Sequence, residues 1–422
     1  MNKKTKILFI TEHFVHDSTY QAGHKSFSFY LDKFSNDELF EVAYVVDHNN
    51  DFINAGKMKN QFPNAHDFSI KTPAILKKLK YPFYKKTIKN LLSIIKPSWL
   101  YLEPFRGLVY KKALKSVLDQ GWVPDIIAFE WTEMLFLSDY CKQLFPKAIF
   151  IATEHDVSFN KVERMFDKSI LQKKFLVKQF KALELAALQL MDLILVLSSN
   201  DFSLLINNGI DAEKVLLISP FYNRSNRSQA LHKNEVIYYG AMNREENMHA
   251  VKWFIENVFI PFNLSDLVKF VVIGAGTSAS FSKKYKDVPG VVFTGFVEDP
   301  AKYFETALCM VVPLTFGGGI KIKILEAMSG AVTVLSNNVG IEGISAESGI
   351  NYMHCTDPID YGTTIKKLFS DRGLAYKIGG AGRVMMESNY NFVKSYETYK
   401  TKIIDLSNQN ARKHFELNEL FN

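Results

Sequence analysis

The sequence predicts an α/β protein with two doubly wound domains. Short apolar runs alternate with longer amphipathic stretches along almost the whole chain, a pattern typical of parallel strands connected by helices. The alternation stops at the polar, turn-rich segment 223–229 and starts again near Val236. The 422 residues are enough for roughly two or three domains of about 150 residues each. We therefore expect two Rossmann-like domains that face each other across a cleft.

The strand candidates are short runs rich in branched apolar side chains. In the first domain they are 6–10, 42–46, 126–129, 149–153, 193–197 and 215–218. In the second domain they are 236–239, 270–273, 291–294, 309–312 and 332–335. The helices predicted between them include 169–190, 247–258 and 363–369. We place the domains at 1–222 and 223–394, and expect a C-terminal helix at about 395–422 to pack back on the first domain.

The composition is typical of a globular protein, with 47% hydrophobic and 23% charged residues. No apolar run approaches the roughly 18 residues that a membrane-spanning helix needs. The three cysteines, Cys141, Cys309 and Cys355, are far apart and have neither metal-site nor redox spacing. We expect a reduced, cytoplasmic setting without a metal or a cofactor.

One segment makes the chain basic. Residues 71–115 contain 12 Lys or Arg residues and one acid, Glu103, whereas the rest of the chain has 39 basic and 43 acidic residues. Aromatic residues are interleaved with the lysines, and apolar residues recur at helical spacing. Such a stretch suits an anionic membrane surface or a lipid pyrophosphate, although an ordinary solvated helix has the same pattern. No recognition motif accompanies the charge, so we expect no nucleic-acid partner.

A glycine-rich turn that leads into a helix is the strongest local signal. Gly317, Gly318 and Gly319 follow the apolar run 309–312 and precede a lysine-bearing helical stretch. Backbone N–H groups at a helix start, unobstructed by side chains, bind phosphate well. The carboxyl end of a parallel strand is also where α/β proteins bind ligands. The turn therefore predicts a site for a phosphorylated small molecule, with a plain tight turn as the alternative.

An ordered series of motifs in the second half resembles the family 4 (group 1) glycosyltransferases of the GT-B fold. In chain order it comprises VIYYG at 236–240, FVVIGAG at 270–276, VFTGFVED at 292–299, the glycine-rich turn and GIEG at 340–343. The resemblance implies transfer of a sugar from a nucleoside-diphosphate sugar to a hydroxyl acceptor, with retained anomeric configuration and no metal. It also implies a glycan or lipid-linked acceptor and a role in bacterial surface polysaccharide or glycolipid synthesis. With the basic segment 71–115, we expect a cytoplasmic protein that lies peripherally on the inner face of the membrane.

The resemblance assigns donor-binding roles around the glycine-rich turn. Glu326 matches the second glutamate of the family's Glu-x7-Glu pattern, which usually hydrogen-bonds the ribose, and Gly318 stands at the position of the first. Here the N–H groups of Gly318 and Gly319, the helix dipole and Lys321 or Lys323 would neutralise the leaving diphosphate. Each lysine has a solvated helix position as its alternative.

The loop after the strand 236–239 supplies further donor-side candidates. Gly240 matches the glycine of the family's Gly-Arg signature, but Ala241 stands at the arginine position and Glu246 at the lysine position. Arg244 is the candidate replacement from the same loop. Its alternative is an exposed arginine paired with Glu245 or Glu246.

Three donor-side candidates remain, and all are implied by the resemblance. Asn247 begins the helix after the Gly240 loop. Phe296 and Val297 follow the strand 291–294, where the family holds the nucleotide base.

The first domain has its own candidates at strand ends. His155 follows the strand 149–153 and, with Asp156, resembles the His-Asp pair at the family's sugar-transfer centre. Gly23 follows the first strand's loop, where the family's glycine-containing turn approaches the donor or acceptor, and Glu130 is a candidate acceptor contact. A structural histidine is the alternative for His155.

A second class of function stays open at this point. A catalytically silent glycosyltransferase-like subunit would bind nucleotide sugar or membrane and support a partner. The missing first glutamate and the missing Gly-Arg pair favour it. An epimerase or a phosphorylase of the same fold would need an acid–base pair or a cofactor lysine, and the sequence identifies neither.

Overall fold

The computed structural model describes residues 4–15, 22–47, 52–70, 101–102, 104–165, 171–224 and 233–420. The chain divides into two compact units, one of residues 1–218 and 392–422 and one of residues 219–391. The boundary after Ile218 lies a few residues before the predicted one at 222, and the chain re-enters the first unit at Phe392.

The first unit is a parallel sheet with helical connections. Its strands are β1 (Thr5–Thr11), β2 (Phe40–Val45), β3 (His66–Asp67), β4 (Ile126–Glu130), β5 (Ile149–Glu154), β6 (Leu193–Val196) and β7 (Val215–Leu217). Its helices up to β7 are α1 (Ala22–Ser35), α2 (Phe52–Gln61), α3 (Pro104–Asp119), α4 (Thr132–Leu135), α5 (Ser138–Leu144), α6 (Ser158–Met165), α7 (Leu171–Gln189) and α8 (Ser199–Asn207). A 3-10 turn spans Ala212–Lys214.

The strand order of this sheet is β3-β2-β1-β4-β5-β6-β7, and the pairs are parallel. The central strand β1 has Ile7, Leu8, Phe9 and Ile10 fully buried, as expected for a strand covered by helices on both faces. The order reverses between β1 and β4, and ligands of doubly wound sheets bind at the carboxyl ends of the strands at such a point.

The last helix of the chain, α16 (Phe392–Leu420), belongs to the first unit. The ring of Phe392 lies 5.1 Å from that of Phe29 on α1. Tyr396 is buried, and its hydroxyl donates to Asp37 Oδ2 over 2.8 Å. Tyr399 and Ile403 are also buried. The N-terminal part of α16 therefore completes the core beside α1.

The second unit repeats the architecture. Its strands are β8 (Glu235–Tyr239), β9 (Lys269–Ile273), β10 (Val291–Gly295), β11 (Cys309–Val312), β12 (Val334–Ser336) and β13 (Met353–His354). Its helices are α9 (Glu245–Phe254), α10 (Ala279–Tyr285), α11 (Ala301–Phe304), α12 (Ile322–Ser329), α13 (Asn338–Ile341), α14 (Pro358–Ser370) and α15 (Arg372–Asn389). A π-helical turn, Ile255–Phe259, continues α9, and a 3-10 turn spans Leu264–Asp266.

The order of the second sheet is β10-β9-β8-β11-β12-β13, again with parallel pairing. The order reverses between β8 and β11. The loop after β8 and the glycine-rich turn after β11 therefore lie at the reversal point of this sheet, where a ligand is expected.

The predicted strands all form, whereas the short edge strands β3 and β13 were not foreseen. The helix predicted at 247–258 begins at Glu245 and changes to the π-helical turn at Ile255. All three cysteines are free and buried. Within the described part of the chain, no helix is both long and apolar enough to span a membrane.

Candidate functional site

The candidate site of the second unit is a cluster around the ammonium group of Lys323, on α12. Lys323 Nζ donates to Asn247 Oδ1 over 2.6 Å and to the hydroxyl of Tyr238 over 2.9 Å. The Tyr238 hydroxyl donates to the same Asn247 oxygen over 2.7 Å, and Asn247 Nδ2 donates to the carbonyl of Ala241 over 2.8 Å. Residues from β8, α9 and α12 thus meet at one point.

Gly240 belongs to the same cluster. A side chain at this position would place its Cβ 2.9 Å from Asn247 Nδ2 and 3.2 Å from Lys323 Nζ. The first distance is shorter than real Cβ contacts allow, so the glycine is needed for this packing. The structure therefore brings together three of the predicted residues, Gly240, Asn247 and Lys323.

The electrostatics of Lys323 are unusual for a lysine. Burial, reinforced by the positive charges of Arg244 and Lys321 and opposed by the carboxylate of Glu246, lowers the pKa of Lys323 to about 7. Its hydrogen-bond partners are a neutral phenol and a neutral amide, and no carboxylate of the described residues forms an ion pair with it. A partly buried ammonium group without a hydrogen-bonded carboxylate is stabilised when an anion binds beside it.

Lys321, two residues earlier, has a different environment. Its Nζ donates to the carbonyl of Gly318 over 3.0 Å and to that of Gly319 over 2.5 Å. It also lies 4.0 Å from Glu342 Oε2. Lys321 thus folds back and fastens the glycine-rich turn, whereas Lys323 points to the β8 loop.

The glycine-rich turn uses backbone conformations that suit glycine, with φ of +131° at Gly317 and +66° at Gly319. Helix α12 begins at Ile322, slightly later than the sequence suggests, and its capping residue Lys321 provides no side-chain acceptor for the first turn. The first N–H groups of α12 therefore lack a side-chain cap, which is the arrangement that binds anions at helix starts.

Glu326 lies one turn further along α12 and is buried. Its Oε1 accepts a hydrogen bond of 3.4 Å from the backbone N–H of Asn223. Its charge contributes, after burial, to the raised pKa of Tyr239 at the end of β8. The carboxylate thus lies near the end of β8, and its role toward a ribose stays a prediction.

The remaining donor-side candidates lie outside the Lys323 cluster. Arg244 Nε is paired with Glu246 Oε1 at 2.8 Å, and the arginine side chain is half exposed. This arrangement matches the alternative of an exposed arginine paired with a neighbouring glutamate. Phe296 and Val297 follow β10 at the edge of the sheet, two strands from β8. The Phe296 side chain is 52% exposed.

Two residues near the turn were missed by sequence reasoning. Tyr238 completes the Lys323 cluster, and burial raises its pKa well above the usual value. His249 on α9 shares a 3.1 Å hydrogen bond with Thr315 Oγ1, and its ring lies 5.7 Å from that of Phe316. Lys323 and Thr315, which contact Tyr238 and His249, are distant from them in sequence, so no local sequence pattern predicts these contacts.

The candidate site of the first unit is a buried pair, Glu130 and His155, at the ends of β4 and β5. The register pairs Glu130 with Thr153, so these neighbouring strand ends bring the glutamate beside His155. His155 Nε2 lies 3.1 Å from Glu130 Oε2, and the Thr153 hydroxyl donates to Glu130 Oε1 over 3.0 Å. Both carboxylate oxygens therefore have partners within this unit.

Aromatic rings surround His155. The indole of Trp131 stacks on its imidazole, with ring centroids 4.4 Å apart and 26° between the planes. His13 and His24 contact the same indole edge-on at 4.7 and 5.5 Å. Burial lowers the pKa of His13. Arg106 and His155 lower this pKa further, whereas the nearby Glu12 raises it. Trp131 and His13 were not among the sequence candidates.

Gly23, in the first turn of α1, faces the same imidazole. A Cβ at this position would lie 3.2 Å from His155 Nδ1 and 3.5 Å from Trp131 Cζ2. Gly23, Glu130 and His155, predicted separately, are thus grouped at the reversal point of the first sheet. Among the described residues no group of three His, Cys, Asp or Glu side chains is arranged to hold a metal ion.

Comparison with solved structures identifies the fold. The chain is similar to sucrose-phosphate synthase from Thermosynechococcus elongatus, with a TM-score of 0.67 and 14% identity over 96% of this chain and 99% of that one. It is similar to a mutant TarM of S. aureus in complex with fondaparinux, alpha-GlcNAc-glycerol and UDP (TM-score 0.64, 14% identity, 94% and 99% covered). It is also similar to Anabaena HepE in complex with UDP and glucose (TM-score 0.65, 12% identity, 94% and 99% covered). The fold is that of the GT-B glycosyltransferases.

A family match lies in the second unit. Residues 233–371, which contain the whole Lys323 cluster, match the family described as glycosyl transferases group 1. The second unit is therefore similar to that family, and the chain as a whole has the GT-B fold. No curated protein has a sequence that matches the chain significantly.

Proposed function

We propose that the protein transfers a sugar from a nucleoside-diphosphate sugar to a hydroxyl acceptor and binds the leaving diphosphate at the Lys323 cluster. The observation that carries the proposal is Lys323 itself, whose desolvated ammonium group has only neutral hydrogen-bond partners. The uncapped start of α12 presents N–H groups from the same segment. A diphosphate supplies the negative charge that both features lack.

The chemistry assigned to the cluster is charge stabilisation during departure. The bond between the anomeric carbon and the diphosphate oxygen breaks, the acceptor oxygen bonds to that carbon, and the acceptor proton passes to the leaving diphosphate. Lys323 and the N–H groups of the turn stabilise the charge that develops on the leaving group, as preorganised donors do in other transfer reactions. Retention of configuration and independence of a metal are part of the proposal, supported by the family resemblance.

Nucleoside-diphosphate release by purified protein tests the proposal. Incubation with a panel of nucleotide sugars, with and without glycan and lipid-linked acceptors and in the presence of EDTA, is expected to release diphosphate from one donor. The linkage of the product, read by NMR, reports retention. The Lys323→Met variant should release diphosphate from that donor about 100- to 1,000-fold more slowly, whereas Lys367→Met, at an exposed position on α14, should match the wild type. Release that is unchanged in Lys323→Met would refute the site.

The silent-subunit alternative keeps a specific observation in its favour. Gly318 stands where the family usually has an acid, and Arg244 is engaged with Glu246 rather than with the Lys323 cluster. Measurable nucleotide binding without diphosphate release from any donor would favour that alternative over catalysis.

We further propose that the enzyme acts at an anionic membrane surface, in bacterial surface polysaccharide or glycolipid synthesis. Of the basic segment 71–115, residues 71–100 lie outside the described residues, but α3 carries its last part. Leu108, Lys111, Lys112 and Lys115 are all exposed, and their spacing places them on one face of α3. An apolar side chain with three lysines on one face suits anionic lipid.

Charge reversal on α3 is expected to weaken vesicle binding. A lysine near an anionic surface contributes about 1 kcal/mol, so reversal of the charges of Lys111, Lys112 and Lys115 should reduce binding by at least about 100-fold. Cosedimentation with phosphatidylglycerol vesicles, and with phosphatidylcholine vesicles for comparison, measures it. Reversal of Lys366, Lys367 and Lys377, exposed in the second unit, is the control of equal net charge. Equal losses in the two triple variants would show only a net-charge effect and contradict docking through α3.

A further inference from the structure

We propose that Glu130 is a positioning residue that fixes the tautomer of His155, so that the lone pair of Nδ1 is presented to a hydroxyl group of the sugar or the acceptor. The identity of that hydroxyl rests on the proposed transferase function, but the tautomer does not. The sequence predicts an acceptor contact for Glu130, and both oxygens of its carboxylate have hydrogen-bond partners within the first unit.

The hydrogen bonds of Glu130 define where the ring proton is. A carboxylate only accepts hydrogen bonds. Its Oε1 accepts from the Thr153 hydroxyl, and its Oε2 is 3.1 Å from His155 Nε2. Nε2 must therefore carry the proton, because two acceptors in contact would repel. In a neutral imidazole this leaves Nδ1 with its lone pair.

Nδ1 is the atom left for a ligand. The His155 side chain is only 7% exposed, and Nδ1 has no hydrogen-bond partner among the residues that the structure describes. Buried polar atoms are normally satisfied, so an open acceptor at a sheet's reversal point needs an explanation. A hydroxyl donor from a sugar or its acceptor satisfies it.

Two neighbours restrict the ring. Trp131 stacks on the imidazole, and its own backbone has φ of +72°, an unfavourable conformation for a bulky residue that is found where a site requires it. On the side of Nδ1, Gly23 contributes no side chain, and a Cβ would lie 3.2 Å from that nitrogen. A larger residue at position 23 would therefore crowd Nδ1.

Nitrogen-15 NMR of the histidine side chains tests the tautomer directly. His155→Gln identifies the signal by its loss. In the wild type we expect the proton on Nε2 and a bare Nδ1. In Glu130→Gln the amide can donate to Nε2, so the proton should move toward Nδ1, whereas Glu130→Asp should keep a carboxylate acceptor and the original tautomer. A protonated Nδ1 in the neutral wild-type ring, or no change in Glu130→Gln, overturns the inference.

Kinetics give a second readout. Loss of a hydrogen bond to the reacting partner should lower kcat of Glu130→Gln by about 10- to 100-fold with little change in the donor KM, with partial recovery in Glu130→Asp. Retained kcat in a Glu130→Gln variant whose tautomer has changed would overturn the role of Nδ1. If the wild type transfers no sugar at all, the proposed function fails, and the NMR result alone decides the tautomer.

Gly23→Ala tests whether crowding of Nδ1 lowers turnover without unfolding the protein. Alanine is favoured over glycine in a helix, but its methyl group would lie 3.2 Å from Nδ1. We expect a variant with an unchanged or higher melting temperature and a kcat reduced by about 10-fold or more. Gly56→Ala on α2, where a Cβ meets nothing within 4 Å, is the matched control. Wild-type turnover in Gly23→Ala would contradict the role of Nδ1.

Discussion

Replacement of Lys323 by methionine is expected to stabilise the fold at pH 7 and to lower sugar transfer by about 100- to 1,000-fold. The loss of activity is the size measured when one preorganised donor to a developing anion is removed. The gain in stability has the opposite origin. The lysine is desolvated beside Tyr238 and Asn247 and has no described carboxylate partner. A flexible apolar side chain of similar length removes that cost.

The lowered pKa of Lys323 determines how the stability of the wild type changes with pH. The pKa of Lys323 is about 7 in the folded protein, against 10.5 for the ordinary side chain. Below pH 7 both states are protonated, and the folded state carries the full cost of the buried charge. Between pH 7 and 10.5 the unfolded chain binds the extra proton, so wild-type stability rises with pH. The advantage of Lys323→Met should be roughly 1–3 kcal/mol near pH 7, after discounting the lost hydrogen bonds, and shrink toward pH 10.

Ligand binding should follow the opposite trend. Diphosphate binds the ammonium form, so its affinity for the wild type should fall as the pH rises from 7 to 9. Calorimetric titration with a nucleoside diphosphate and with inorganic pyrophosphate measures this, and urea unfolding measures stability. Lys321→Met is the informative comparison, because Lys321 fastens the carbonyls of Gly318 and Gly319 and its loss should destabilise the turn. A Lys323→Met variant that is less stable than the wild type at pH 7 would contradict the account.

The main strands were predictable because each contains an uninterrupted run of apolar residues. Residues 7–10 and 309–312 are buried on both faces of their sheets. A strand of this kind is apolar at every position, so the sequence alone predicts it. β3 and β13 contain two residues each and carry no periodicity. They exist because β2 and β12 offer them a pairing edge, which is a property of the assembled sheet.

The site was predictable only in part, for a similar reason. The three glycines before a helix predict an anion site, but the sequence does not distinguish Lys321 from Lys323 as the lysine that binds the anion. The structure distinguishes them because the partners of Lys323 lie 76 and 85 residues away in the chain. In the first unit, Glu130 and His155 are 25 residues apart. Their contact follows from strand register, which no local pattern encodes.

The second large effect is expected at Glu326. If its buried carboxylate accepts hydrogen bonds from the ribose, Glu326→Gln should weaken binding of the nucleoside diphosphate by about 10- to 150-fold, the range for hydrogen bonds to a charged group. The substitution keeps the size of the side chain and its ability to accept from the Asn223 N–H. The fold should therefore survive, and the melting temperature without ligand checks this.

Comparing the binding of pyrophosphate with that of a nucleoside diphosphate tests whether the diphosphate and the ribose bind at separate subsites. It carries the diphosphate charge but no ribose, so Glu326→Gln should bind it as the wild type does, whereas Lys323→Met should bind both ligands poorly. Glu256→Gln is the control, since Glu256 pairs with Lys284 on the surface helix α10 and should leave both affinities unchanged. Equal losses for pyrophosphate and nucleoside diphosphate in Glu326→Gln would mean that the carboxylate acts through the turn rather than on the ribose. A selective loss of nucleoside-diphosphate binding would place the ribose at Glu326, one helical turn beyond the ammonium group that binds the diphosphate.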